Sequence, residues 1–335
     1  MRILDYPADL EQVEKTIRDL GNDLQRSINA SLLLYKGYAL HTDVSLSYDD
    51  TVNAHACEDP GAGIREIVIH LGLFRELEAY YKTVLYEDNS RFFQTISLGE
   101  LYDKAKSVRY FRLFMTLSLA VILFHEFGHV YNGHILYGNK VGYFHRLAFN
   151  RPDENKEDMR RIKTIQAMEW NADDFAATRM IARYVHAAVI REVNGRLLCP
   201  LIKNIDHMLF LVMWASGTAF SIMGMGQKRD GTGQIYLDRH LPLRFRAKQI
   251  IDTEALASHQ LNQTAILPEN DLILYRAEQW VNLYKVQAEG HENDSWNNGN
   301  NLHELEEVNQ SYYREVENYL HVLRTVLIPF SRLNP

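Results

Sequence analysis

Apolar positions recur at three- and four-residue spacing through residues 8–34, the pattern of an amphipathic helix with one buried stripe. The polar stretch around Ser47-Tyr48-Asp49-Asp50 reads as loop. Ile67-Val68-Ile69-His70 is short and β-branched, which predicts a strand, and a helix is expected near 72–86. The next helix is expected over about 107–137. Its run LFMTLSLAVILF at 113–124 is almost wholly apolar, and a helix without a polar face belongs in the interior. Gly138 is expected to close this helix. Residues 139–163 contain Arg151-Pro152-Asp153-Glu154-Asn155-Lys156 and show no clear period, so they read as a polar insertion able to overhang a cleft as a lid or specificity loop.

Residues 208–226 hold no charged side chain, a length that can span a bilayer. Ser216, Gly217, Thr218, Ser221 and Gly224 within it, and flanks with little Lys/Arg asymmetry, favour a central buried helix instead. Further on, 271–288 and 302–327 read as helices joined by the polar segment 289–301. The expected class is α+β, mainly helical, with a small β-sheet and additional C-terminal helices. The expected organisation is an N-terminal helical segment (1–50), a central unit (51–255) and a C-terminal helical extension (256–335). No internal repeat is evident.

Chemistry enters at His125-Glu126-Phe127-Gly128-His129, directly after the apolar run. Positions i and i+4 lie about 40° apart around a helix, so His125 and His129 can grip one zinc ion, the zincin signature. Glu126 sits on the flank of that face, where it can hold and deprotonate a zinc-bound water as general base. A third ligand is required, and Glu169-Trp170-Asn171-Ala172-Asp173 supplies the best candidate in Glu169. Asp173 shares its helix face and can accept the ring N–H of a ligand histidine, fixing its tautomer. A metzincin would need Gly and His where this chain has Asn132 and Ile135, so that reading fails. His134 then reads as a residue of the cleft rim. The chain carries neither a GxxxxGK[ST] phosphate loop nor a GxSxG nucleophile elbow.

HEFGH followed by EWNAD resembles the HExxH and ExxAD pair of gluzincin metallopeptidases, most of all the HtpX and CAAX-prenyl-protease type. Upstream, Val52-Asn53-Ala54-His55-Ala56 and Ile67-Val68-Ile69-His70-Leu71-Gly72-Leu73-Phe74 are similar to segments that form the strand bordering the cleft in that family. Downstream, His240-Leu241-Pro242-Leu243-Arg244-Phe245-Arg246 resembles its HPxxxxRI element, with one Leu between His240 and Pro242. These features cover about residues 52–250 in the family's order. The resemblance implies a zincin-like active-site helix with the sheet bordering the cleft. It also implies that His240 helps to stabilise the oxyanion formed during hydrolysis and that Arg246 lies close by. Removing one such donor typically costs 2.7–4 kcal/mol of transition-state stabilisation. Tyr143 and His145 are further candidates for that role. The phage-exclusion peptidase Lit shares HExxH in a chain of similar size, and nothing beyond it.

Composition bounds the rest. With 335 residues and 46% hydrophobic content, the chain can bury a sizeable core. A net charge of −7 offers no broad basic surface, so no nucleic-acid partner is expected, and Met159-Arg160-Arg161-Ile162-Lys163 reads as a solvated helix face. Two cysteines, Cys57 and Cys199, suggest neither a disulfide framework nor a thiolate zinc site. The N-terminal stretch lacks the apolar core of a secretory signal, so a cytoplasmic location is expected, with inner-membrane association as the alternative. The expected function is zinc-dependent hydrolysis of a protein or peptide substrate with one Zn2+ per chain. The alternatives are a catalytically silent zinc-binding scaffold, with the C-terminal helices binding a protein partner, and a membrane-embedded protease.

Overall fold

The computed structural model describes residues 9–59, 61–86, 90–141, 156–186, 201–225, 243–261 and 299–332, together with 273, 276–277, 279–281 and 283–284. The fold is mainly helical, with one small sheet. Helix α1 (Leu10–Lys36) starts where Asp9 accepts a hydrogen bond from the Gln12 backbone N–H at 2.9 Å and stops at Gly37. Its stripe of Val13, Ile17, Leu20, Leu24, Ile28 and Leu32 is buried, each side chain contributing about 1.5–3 kcal/mol.

Three strands follow: β1 (Asp43–Ser47), β2 (Ala54–Asp59) and β3 (Ile64–His70). Their order is β1-β3-β2, with β1 parallel and β2 antiparallel to β3, so Leu46 and Ala54 both face Ile69 in register. The strand expected at 67–70 thus begins three residues earlier, and β1, five residues long, had no counterpart in the reading of the sequence. Being last in that order, β2 has one edge with no partner strand among the described residues, and α4 packs against β2.

Helices α2 (Leu71–Tyr86) and α3 (Ser90–Ile96) lead to α4 (Lys104–Tyr131), capped by Asp103, which accepts from the Ala105 and Lys106 N–H groups. Helix α4 is buried along almost its whole length, as its apolar circumference requires. It does not run to 137. Gly133 takes a φ of 79° and packs against the Phe330 backbone, where a side chain would collide, so the chain turns and restarts as α5 (His134–Val141). Gly138, the expected terminator, lies inside α5.

Helix α6 (Lys156–Met180) packs on α4 and continues into a π-helical turn at Ile181–Val185. The polar insertion expected at 139–163 is therefore helical at both ends, and 142–155 fall outside the described residues. Helices α7 (Ile205–Met225) and α8 (Leu243–Leu261) join the main core, as do Ile273, Ala277, Val281 and Tyr284. The described residues of the expected 271–288 helix are helical.

The expected 302–327 helix is α9 (Gly299–Leu327). Its Val316, Leu320, Leu323 and Leu327 cluster with Ile165, Ala167 and Met168 of α6. Polar contacts line the same seam: Lys163 to Glu315 at 2.5 Å, Arg160 to Tyr319 at 2.8 Å and Arg324 to Asp174 at 2.9 Å. Just past α9, the Arg332 N–H donates to the Tyr131 carbonyl at 2.8 Å, and its guanidinium bonds both the Val130 carbonyl and the Glu58 carboxylate. A cation thus closes the carbonyl end of α4 and ties it to β2.

Helices α4 and α7 are long and apolar enough to cross a membrane, yet 94% and 83% of their most apolar windows are buried inside the protein. The interior that surrounds them is not wholly apolar. Tyr81 and Ser118 bond at 2.7 Å, and Ser216 donates to Glu254 at 2.8 Å. Burial pushes the Glu254 carboxyl up to about 8, against the Ser216 bond that favours its charge.

The folded chain therefore keeps a proton that the unfolded chain releases above about 4.5, and this group's contribution to stability falls as pH rises from there towards 8. Glu254→Gln should shrink the difference in Tm between pH 5 and pH 8 by several degrees, measured by thermal denaturation. An unchanged difference would mean that Glu254 is ionised in the fold.

Candidate metal centre

Helices α4 and α6 meet at Gly128 and Ala172, the small residues inside the two motifs. A Cβ on Gly128 would lie 3.0 Å from the Ala172 Cα and 3.2 Å from its Cβ and carbonyl oxygen. That close approach brings His125 and His129 of α4 within reach of Glu169 on α6. The two histidine Nε2 atoms are 3.0 Å apart, His125 Nε2 is 3.4 Å from Glu169 Oε2, and His129 Nε2 is 3.4 Å from Glu169 Oε1.

Zinc bonds of 2.0–2.1 Å in a tetrahedron require donor atoms about 3.3 Å apart, so the three side chains fit one ion. They form a group able to hold a metal, with His125 and Glu169 buried and His129 nearly so.

A second layer holds the rings. Asp173 lies 2.8 Å from His125 Nδ1, in the contact its spacing from Glu169 suggested. Arg246 of α8 is buried against the same carboxylate, donating through Nε at 2.8 Å and Nη2 at 2.9 Å, and also reaches Glu169 at 3.1 Å and His125 Nε2 at 3.2 Å. His134 is not a rim residue. It is fully buried, with Nδ1 3.0 Å from His129 Nδ1 and Nε2 2.9 Å from Asn171 Oδ1. The Gly133 turn accounts for this, because it starts a new helix with its first side chain directed back at α4. His240 lies outside the described residues, as do Tyr143 and His145.

The electrostatics follow from burial and from this pairing. Burial opposes charge on His125, but Asp173 by charge and hydrogen bond, helped by Glu169, pushes it up to about 9. Burial holds His129 well below the usual imidazole range, only partly offset by Glu169. His134 is pushed down to about 4 by burial, against the Asn171 bond. Glu126 is pushed up to about 7, chiefly by burial and then by Glu169, while His125, Arg246 and the Ala56 N–H of β2 favour its charge. Arg246 is held above its ordinary range: burial acts against its charge, and Asp173 and Glu169 outweigh it. Asp173 and Glu169 thus face two cations, Arg246 and a protonated His125, and a divalent cation would take the place of the His125 proton.

Comparison with family models, with curated proteins and with solved structures found no match to this chain. Two site residues were missed in the sequence, Asn171 and the inward-facing His134. A glycine directly before a histidine, at the end of the motif helix, was the signal for the latter.

A methyl group at position 128 would meet the backbone of Ala172, which cannot rotate away. Gly128→Ala should lower zinc affinity at least about tenfold and reduce Tm by a few degrees, despite the roughly 1 kcal/mol that Ala gains in helix propensity. Chelator competition and thermal melts on the same preparation measure both. A higher Tm with unchanged affinity would show that the helices can separate freely.

Proposed function

We propose that this protein is a zinc-dependent peptidase of gluzincin type, holding zinc through His125, His129 and Glu169. The observation that supports this most is the convergence of two Nε2 atoms and one carboxylate at 3.0–3.4 Å, with the buried carboxyl of Glu126 on the same helix. Two nitrogens and an oxygen suit zinc, and three protein ligands leave the fourth position of a catalytic site for water or substrate. Zinc, when bound, supplies an acidified water and polarises a carbonyl.

The chain's own groups do the rest. Glu126 follows His125 directly and sits against β2, where the Ala56 N–H favours its carboxylate. A carboxyl held near neutral can take a proton and return it to a leaving amine, as general acid–base catalysis requires. Asp173 orients His125, and Arg246 balances the carboxylates so that they can stay ionised without water. The edge of β2 that lacks a partner strand among the described residues gives an extended peptide a place to lie beside Glu126. The internal burial of most of the apolar surface of α4 and α7 favours a site that works outside a bilayer.

Elemental analysis after reconstitution should find about one zinc ion per chain, kept by Glu126→Gln and lost by Glu169→Ala. Against a proteome-derived peptide library, Glu126→Gln should cleave at least about 10²-fold more slowly than the natural chain. Cleavage by Glu126→Gln at the natural rate would overturn the role of Glu126. Failure of the reconstituted chain to retain zinc would overturn the metal assignment.

A further inference from the structure

We propose that His134 and Asn171 act as a tautomer relay, fixing His129 with a proton on Nδ1 and a bare Nε2 directed at the metal position; this rests on the metal-site reading above. The chain of reasoning starts at Asn171. Its Oδ1 can only accept, so His134 Nε2, 2.9 Å away, carries the proton. A neutral imidazole has one N–H, which leaves His134 Nδ1 as an acceptor. His129 Nδ1, 3.0 Å from it, must then be the donor, and its Nε2 keeps its lone pair. His134 is a positioning residue, since it acts on the metal only through His129.

His125 is oriented by other means. Its Nδ1 faces the Asp173 carboxylate at 2.8 Å, so that nitrogen carries a proton. The two ligand rings turn their Nε2 atoms to the same point, 3.0 Å apart. The difference in acceptors follows from the charge already present. Asp173 and Glu169 already stand at the site, and another carboxylate behind His129 would add further buried charge. A neutral imidazole backed by an amide orients the ring without adding charge. One stretch of α6 thus supplies a metal ligand, Glu169, and the acceptors that set both histidines, Asn171 and Asp173.

Long-range 15N–1H spectra of histidine-labelled protein, recorded at pH 8 after chelator treatment, read the tautomers without any metal. The expected result is His129 as the Nδ1–H form and His134 as the Nε2–H form. In parallel, competition with a chromophoric chelator should show His134→Leu binding zinc 10–100-fold more weakly at an unchanged metal-free Tm. His134→Asn, which places an amide oxygen near the former Nδ1, should recover most of that loss. Should His134→Leu fail to fold, Asn171→Leu tests the outer bond, with a smaller loss of affinity and mixed tautomers at His129 expected. His129 as the Nε2–H form, or His134→Leu binding zinc as tightly as the natural chain, overturns the relay. If the natural chain bound no zinc while His129 stayed in the Nδ1–H form, the relay would stand and the metal reading alone would fall.

Discussion

Two helices can deliver histidines from one and a carboxylate from the other to a single point only if their backbones come closer than large side chains permit. Helices usually pack with axes 8–10 Å apart, and the side chains at the crossing set the value. Here the crossing is made by Gly128 and Ala172, with no side chain on one partner and a single methyl on the other. The 3.0–3.4 Å spacing of His125, His129 and Glu169 follows from that contact. So does the reach of Asp173 to His125, one helical turn beyond Glu169.

The closeness has an electrostatic cost. Carboxylates drawn into a space without water repel one another, and their neutral forms are favoured unless positive charge arrives. Arg246 brings part of it, bridging Asp173 and Glu169 from a third helix, and its planar guanidinium can satisfy both at once. The remainder comes from the His125 proton, which a divalent ion would displace. Structural and chemical demands coincide at this point: the residue that makes the buried acids tolerable also orders the side chains that would bind the metal.

How far the sequence reveals this depends on the range of the signal. The His125, His129 and Glu169 cluster was legible because each part is local: i and i+4 on α4, and i and i+4 on α6, beside an apolar run that announces burial. The run 208–226 was legible as a long apolar helix, and 83% of its most apolar described window lies inside the protein. What was hidden depends on contacts distant in sequence. Gly133 and Gly138 look alike as helix terminators, and Phe330 decides between them by packing on the first. The misreading of His134 as a rim residue followed directly, because its direction is set by that turn. Strand β1 offered only Val44 and Leu46 as an alternating pair, and its identity depends on pairing with β3. Arg246 could be placed near the centre by resemblance, whereas its grip on Asp173 needs the packing of α8.

Arg332 joins the carbonyl end of α4 to Glu58 on β2, and Phe330 seats the turn that aims His134. Both are translated after His125, His129 and Glu169. While the chain is still emerging from the ribosome, α4 and α6 can meet, but the turn at Gly133 has nothing to lean on and the strand edge is not yet tied to the helix. Phe330 and Arg332 are therefore among the residues that give the cluster its shape, and it takes its final form only once they have been made.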